Sequence, residues 1–187
     1  MTGFDRLEEN IETTIYEGIL KLGKERNDSF SIYYDLDLLN YLLETNFKTK
    51  EECFQYLNEF MNNSKSSSYE IKISLDNKRF RFTVFKEGIQ FIENKNKENY
   101  FLRDMIETVK THHFNLEDIL RIFKKYSNDF ICENIDHEEF QYVLYFKDTN
   151  LDPYKYCFSF DQMGGYYHRL LDYYYKDLDV PSNEIFL

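Results

Sequence analysis

The chain has 187 residues, a formal net charge of −11 and a hydrophobic fraction of 42%. That length suits a single domain, and the negative charge argues against a general nucleic-acid binder, whose affinity comes from neutralising phosphates. No apolar run approaches the ~18 residues that span a bilayer, and Met1–Glu12 is too polar and acidic for a signal peptide, so a cytoplasmic protein is expected.

The first segment spaces Phe4, Leu7, Ile11, Ile15, Ile19 and Leu22 by three and four, which predicts a helix with one buried stripe ending near Gly23. Lys24–Ser29 reads as a loop, and Phe30, Ile32 and Tyr34 alternate as a short extended stretch. Asp35 is placed to cap a short helix through Leu36, Leu39, Leu42 and Leu43. Thr49 followed by Glu52 forms a capping box for a third helix carrying Cys53, Phe54, Leu57, Phe60 and Met61. The polar run Ser64–Ser68 is the nearest approach to an internal boundary.

Three strands are then expected. Ile71, Ile73 and Leu75 alternate with polar residues, as do Phe80, Phe82 and Val84, and Glu87-Gly88 turns the chain into a third strand over Ile89–Ile92. Two helices follow, one through Leu102, Met105, Ile106 and Val109 and one capped by Asn115. Phe130–Glu133 reads as extended. Phe140–Phe146 is apolar on both faces, as befits a central, doubly covered strand, and Tyr154–Phe160 returns beside it. The last element, with Tyr167, Leu170, Leu171, Tyr174, Tyr175 and Leu178 in register, reads as a helix.

Helices and strands come in blocks, which predicts one α+β domain. About five antiparallel strands pack against about six helices, with a helical part over 1–63 and a sheet-containing part over 69–187. The core is aromatic: 18 Phe and 17 Tyr, with no Trp and no Ala. Residues with A/T-rich codons are abundant and those with G/C-rich codons scarce, so the bias belongs first to a low-GC bacterial genome rather than to a stacking surface.

Chemistry-bearing motifs are few. Cys53, Cys132 and Cys157 are odd in number and unpaired in spacing, as expected of reduced thiols acting as small hydrophobes. His112-His113 falls at a helix end, where packing and capping account for it. Asp136-His137-Glu138-Glu139 resembles no metal motif and reads as a solvated turn. Asp35-x-Asp37 lacks the glycine and closing glutamate of a calcium loop. No metal and no cofactor is expected.

Gly164-Gly165-Tyr166-Tyr167-His168-Arg169 is the stretch with the most character. Two glycines opening a helix would offer free amides to an anion, with His168 and Arg169 beside them and His137 or Tyr33 as further ligand contacts. Charge is also uneven. Between Lys65 and Lys97 eight Lys/Arg stand against four acids, a local +4 that leaves −15 elsewhere. Lys72, Arg79 and Arg81 on the strands of that segment are the candidate partner contacts.

Leu22-Gly23, then Ile32-Tyr33-Tyr34, Leu36, Leu39-Asn40 and Leu42 resemble the N-terminal signature of a family catalogued as domain of unknown function 3877, found in low-GC gut bacteria. The resemblance covers the first quarter of the chain and departs from the family pattern at Asp35, where a proline is expected. It implies a bacterial accessory protein and supplies no catalytic residues. The leading expectation is a non-enzymatic acidic module whose partner is another protein, not nucleic acid or membrane. The alternatives are an anion-binding protein or enzyme built on the Gly164–Arg169 turn, and a subunit that self-associates through its tyrosine-rich C-terminal helix.

Overall fold

The structure, a computed structural model, describes residues 2–23, 28–63, 69–171 and 184–185. In chain order its elements are α1 (Gly3–Leu22), β1 (Ser29–Tyr34), α2 (Leu36–Leu43), α3 (Lys50–Asn63), β2 (Ile71–Asp76), β3 (Arg79–Phe85) and α4 (Lys86–Lys95). Then come α5 (Tyr100–Val109), α6 (Leu116–Tyr126), β4 (Phe130–Asn134), β5 (Tyr142–Phe146), β6 (Tyr154–Asp161), β7 (Gly164–Leu171) and β8 (Glu184–Ile185). The class is α+β with all pairing antiparallel. Two four-stranded sheets replace the expected single sheet, ordered β2-β3-β1-β8 and β4-β5-β6-β7. The chain forms two compact units, Met1–Glu98 with Val180–Leu187, and Asn99–Asp179.

In the first unit, α1 starts with reciprocal capping: Thr2 Oγ1 accepts from the Asp5 amide and the Asp5 carboxylate accepts from the Thr2 amide. The predicted stripe of Leu7, Ile11, Ile15 and Ile19 is buried, but so are Asn10, Glu12, Thr13, Thr14 and Glu17. These polar residues are tolerated because the structure supplies partners. Tyr34 Oη donates to Asn10 Oδ1 (2.7 Å), Thr13 to the Glu9 carbonyl (2.8 Å), and Glu17 pairs with Lys21 (2.7 Å). Asp35 caps α2, and Thr49 and Glu52 cap α3 as their spacing requires.

The expected strand over Ile89–Ile92 is helix α4 instead. Ile89 and Ile92, three apart, are both buried. Gly88 lies inside that helix rather than in a turn, and close packing requires the glycine: a Cβ there would meet Val84 Cγ1 at 2.4 Å and the Tyr69 ring at 2.8 Å. The strand flanking β3 opposite β2 is β1, paired along all six residues.

In the second unit, Asn99 caps α5, and Asn115 and Asp118 form a capping box on α6. Phe101 is the hub of the core, within 4.8–5.9 Å of the Phe146, Phe123, Tyr126 and Tyr156 rings. β5 is interior to its sheet, with Val143, Leu144 and Phe146 buried on both faces. Buried Asp152 shapes the turn into β6, accepting from the Tyr154 amide and the Tyr156 hydroxyl.

Gly164–Leu171 is not the start of the expected C-terminal helix but strand β7, paired with β6 along its length. Tyr173–Leu178 lie outside the described residues. The hairpin turn is held by Asp161 Oδ1, which accepts from the amides of Met163 (2.7 Å) and Gly164 (3.1 Å). Among the described residues no helix is long and apolar enough to cross a membrane.

Candidate functional site

Strand alternation builds one surface that the sequence had scattered. In β1, Phe30, Ile32 and Tyr34 point into the core, which leaves Ser29, Ser31 and Tyr33 on the other face. Ile71 and Ile73 of β2 and Phe80, Phe82 and Val84 of β3 do the same, so Lys72, Ser74, Arg79, Arg81, Thr83 and Phe85 join that outer face. Register sets them in rows: Lys72, Thr83 and Ser31 across one, Ser74, Arg81 and Tyr33 across the next, and Asp76 opposite Arg79 at the end. Rows on one face are about 6.5–7 Å apart.

The face is pre-ordered. Ser31 Oγ and Thr83 Oγ1 lie 3.0 Å apart across the β1–β3 pair, and Arg81 Nε donates to Ser31 Oγ at 3.1 Å. The Arg79 guanidinium stands over the Tyr33 ring, 5.1 Å from its centroid. Lys72, Arg81 and Phe85 are exposed. At the Phe85 end the face opens into a hollow of about 960 Å³ lined by Asp28, Glu70, Lys72, Phe85, Lys86 and Glu87. Ser31, Thr83 and Phe85 were missed as site residues from sequence, although their alternation with Phe30, Phe82 and Val84 was there to be read.

Four expected site residues, Tyr33, Lys72, Arg79 and Arg81, therefore share one face. Tyr33 was expected beside the Gly164–Arg169 stretch; its neighbours within its own unit are instead the basic residues. The remaining candidates belong to the second unit and do not form the anticipated anion turn. No helix starts at Gly164. Its Cβ would stand 2.0 Å from the His112 carbonyl oxygen, and one on Gly165 would stand 2.6 Å from the Phe114 ring. The glycines thus admit the α5–α6 connection, whose His112 carbonyl accepts from the Gly165 amide at 2.9 Å.

His168 and Arg169, adjacent on a strand, face opposite ways. Arg169 stacks over Tyr154 (4.3 Å) and His168 lies against Phe140 (5.9 Å), which also stacks with His137 at 5.4 Å. His112 and His113 follow the end of α5 and are exposed, so helix packing does not explain them. His112 has φ 60° and its ring lies near Tyr166.

Packing explains several ionisable groups elsewhere. Glu12, 5% exposed, accepts from Tyr69 Oη at 3.0 Å and pairs with Lys95. Burial, with Glu12 beside it, pushes the Tyr69 hydroxyl well above its ordinary range and raises the carboxyls of Glu8 and Glu9. Burial also pushes the Cys53 and Cys157 thiols up to about 12, and burial with the neighbouring Glu133 raises Cys132. None of these is a thiolate nucleophile at neutral pH. Among the described residues no group of three or more His, Cys, Asp or Glu is placed to hold a metal ion.

No curated protein and no solved structure matches the chain. The family model described as "Domain of unknown function, E. rectale Gene description (DUF3877)" matches residues 4–179, far beyond the first quarter that carried the sequence resemblance, and the chain belongs to that family.

Proposed function

We propose that the protein is a non-enzymatic, cytoplasmic interaction module that engages an acidic segment of another protein through the open face of its first sheet. The observation that carries this reading is the meeting of Lys72, Arg79, Arg81 and Tyr33, drawn from three strands, on one solvent-facing surface of a chain whose net charge is −11. A local basic field on an acidic protein selects acidic partners and speeds their encounter. Exposed ion pairs contribute only ~0.2–1 kcal/mol each, so three of them cannot hold a complex alone. Phe85 and the Tyr33 ring supply the apolar contact that a stable interface needs.

The test is capture of a stoichiometric partner by the full chain at low and at high salt, beside the triple variant Lys72→Glu, Arg79→Glu, Arg81→Glu. Loss of the same partner both at high salt and in the variant, with an unchanged circular dichroism spectrum, is the expected result. A partner retained equally by the variant and in high salt would refute the reading.

A further inference from the structure

The open face is electrically two-ended. Around its Arg79 end, Lys78, Arg79 and Arg81 stand against Asp76. Around its Phe85 end, Asp28, Glu70 and Glu87 surround the hollow against Lys72 and Lys86. One end is therefore +2 and the other −1 by formal charge. Exposed Phe85 stands at the edge of the hollow, and the face from Arg79 to Phe85 spans roughly 20 Å at the rise of a strand.

Resting on the reading of this face as a partner-binding surface, we infer that the partner segment carries the opposite order of charge. Its carboxylates lie toward Arg79 and Arg81, an apolar side chain packs on Phe85, and a Lys or Arg reaches Glu70 and Glu87. A uniformly acidic segment long enough to cover the face would meet Asp28, Glu70 and Glu87 with like charge, which costs affinity. An extended segment covers ~20 Å in about six residues, so the two charged ends of the partner are about that far apart in sequence.

Three fluorescent peptides of equal length test this on the full chain by anisotropy at low salt. The first has two Glu, a central Leu and two Lys, with the charges segregated to opposite ends. The second scrambles the same residues so that charge alternates, and the third replaces both Lys with Glu. The segregated peptide is expected to bind saturably and roughly fivefold to tenfold tighter than the scramble, the yield of two or three exposed charge pairs. In Glu70→Lys, checked for fold by circular dichroism, the all-Glu peptide gains and the segregated one loses.

A scramble that binds within twofold of the segregated peptide overturns the inference. If the all-Glu peptide binds wild type tightest, the basic face stands as the site and its two-ended character falls. Absence of saturable binding by every peptide overturns both. An oligothymidylate that binds tighter than all three would reassign the face to single-stranded nucleic acid and likewise overturn both.

Discussion

Replacing Gly164 with alanine would set a Cβ 2.0 Å from the His112 carbonyl oxygen, at a residue whose φ is +142°. Ordinary carbon–oxygen contact needs more than 3 Å, so either the β6–β7 hairpin or the α5–α6 connection must retreat by about 1 Å. Retreat breaks the bond from the Gly165 amide to that carbonyl, worth about 1 kcal/mol net. It also loosens the contact of Gly165 with the Phe114 ring. The positive φ adds about 1–2 kcal/mol for any residue with a Cβ. The sum is a loss of roughly 2–4 kcal/mol, read as a lower urea midpoint at unchanged slope. A loss under about 0.5 kcal/mol would refute the claim that these glycines exist for close packing and would reopen their role as an anion-binding turn.

Lys95→Met removes the counter-charge of nearly buried Glu12 and is expected to cost roughly 1–3 kcal/mol by urea denaturation, with part recovered by adding Glu12→Gln. An equal loss in the double variant would sink the pairing argument. Glu8 and Glu9 have raised folded-state pKa values, so the stability they contribute is complete below the unfolded carboxyl pKa and is lost as pH rises through the folded values. Glu8→Gln with Glu9→Gln should therefore raise the neutral-pH midpoint and leave the acidic one nearly unchanged, and a fall at neutral pH would contradict this. Asp104 behaves in the opposite sense. Burial pushes its carboxyl up, but hydrogen bonds from Lys125 and Tyr126, both 2.6 Å, outweigh that and hold it low. Its contribution is present above the unfolded carboxyl pKa and disappears as pH falls through the lower folded value, so Asp104→Asn should flatten the acid limb of the stability curve. Of the three free cysteines only Cys132 is exposed, so the native protein should react with one equivalent of maleimide and the unfolded protein with three. More than one rapid equivalent in the native state would show that Cys53 or Cys157 is accessible.

Helices whose sequences carry both a cap and a stripe were legible before the fold was known. Thr49 with Glu52, Asp35, and Asn115 each announce a helix start that the structure makes with those side chains. Two segments misled for physical reasons. Ile89-Gln90-Phe91-Ile92 is too short for its period to separate strand from helix, and its Gly88 looked like a turn because the Tyr69 and Val84 contacts that require it come from elsewhere. Gly164–Leu171 carries bulky residues that fit either period, and tertiary pairing with β6 decided it. The candidate site was half legible. Lys72, Arg79 and Arg81 stood out by charge, but Tyr33 lies about 50 residues upstream of Arg79 and Arg81, and only the β1–β3 register brings them together.

The second unit is inserted between Glu98 and Val180, and β8 returns to pair with β1 across roughly 150 residues of sequence. Free-chain closure of that span costs about 1 kcal/mol more than the ~50-residue closure that joins β1 to β3. On a ribosome, β1, β2 and β3 are all available long before the strand that borders β1 has been made. Once Asn99–Asp179 has folded, most of the span is no longer free chain, and the order in which the two bodies form sets how long the outer edge of β1 stands open.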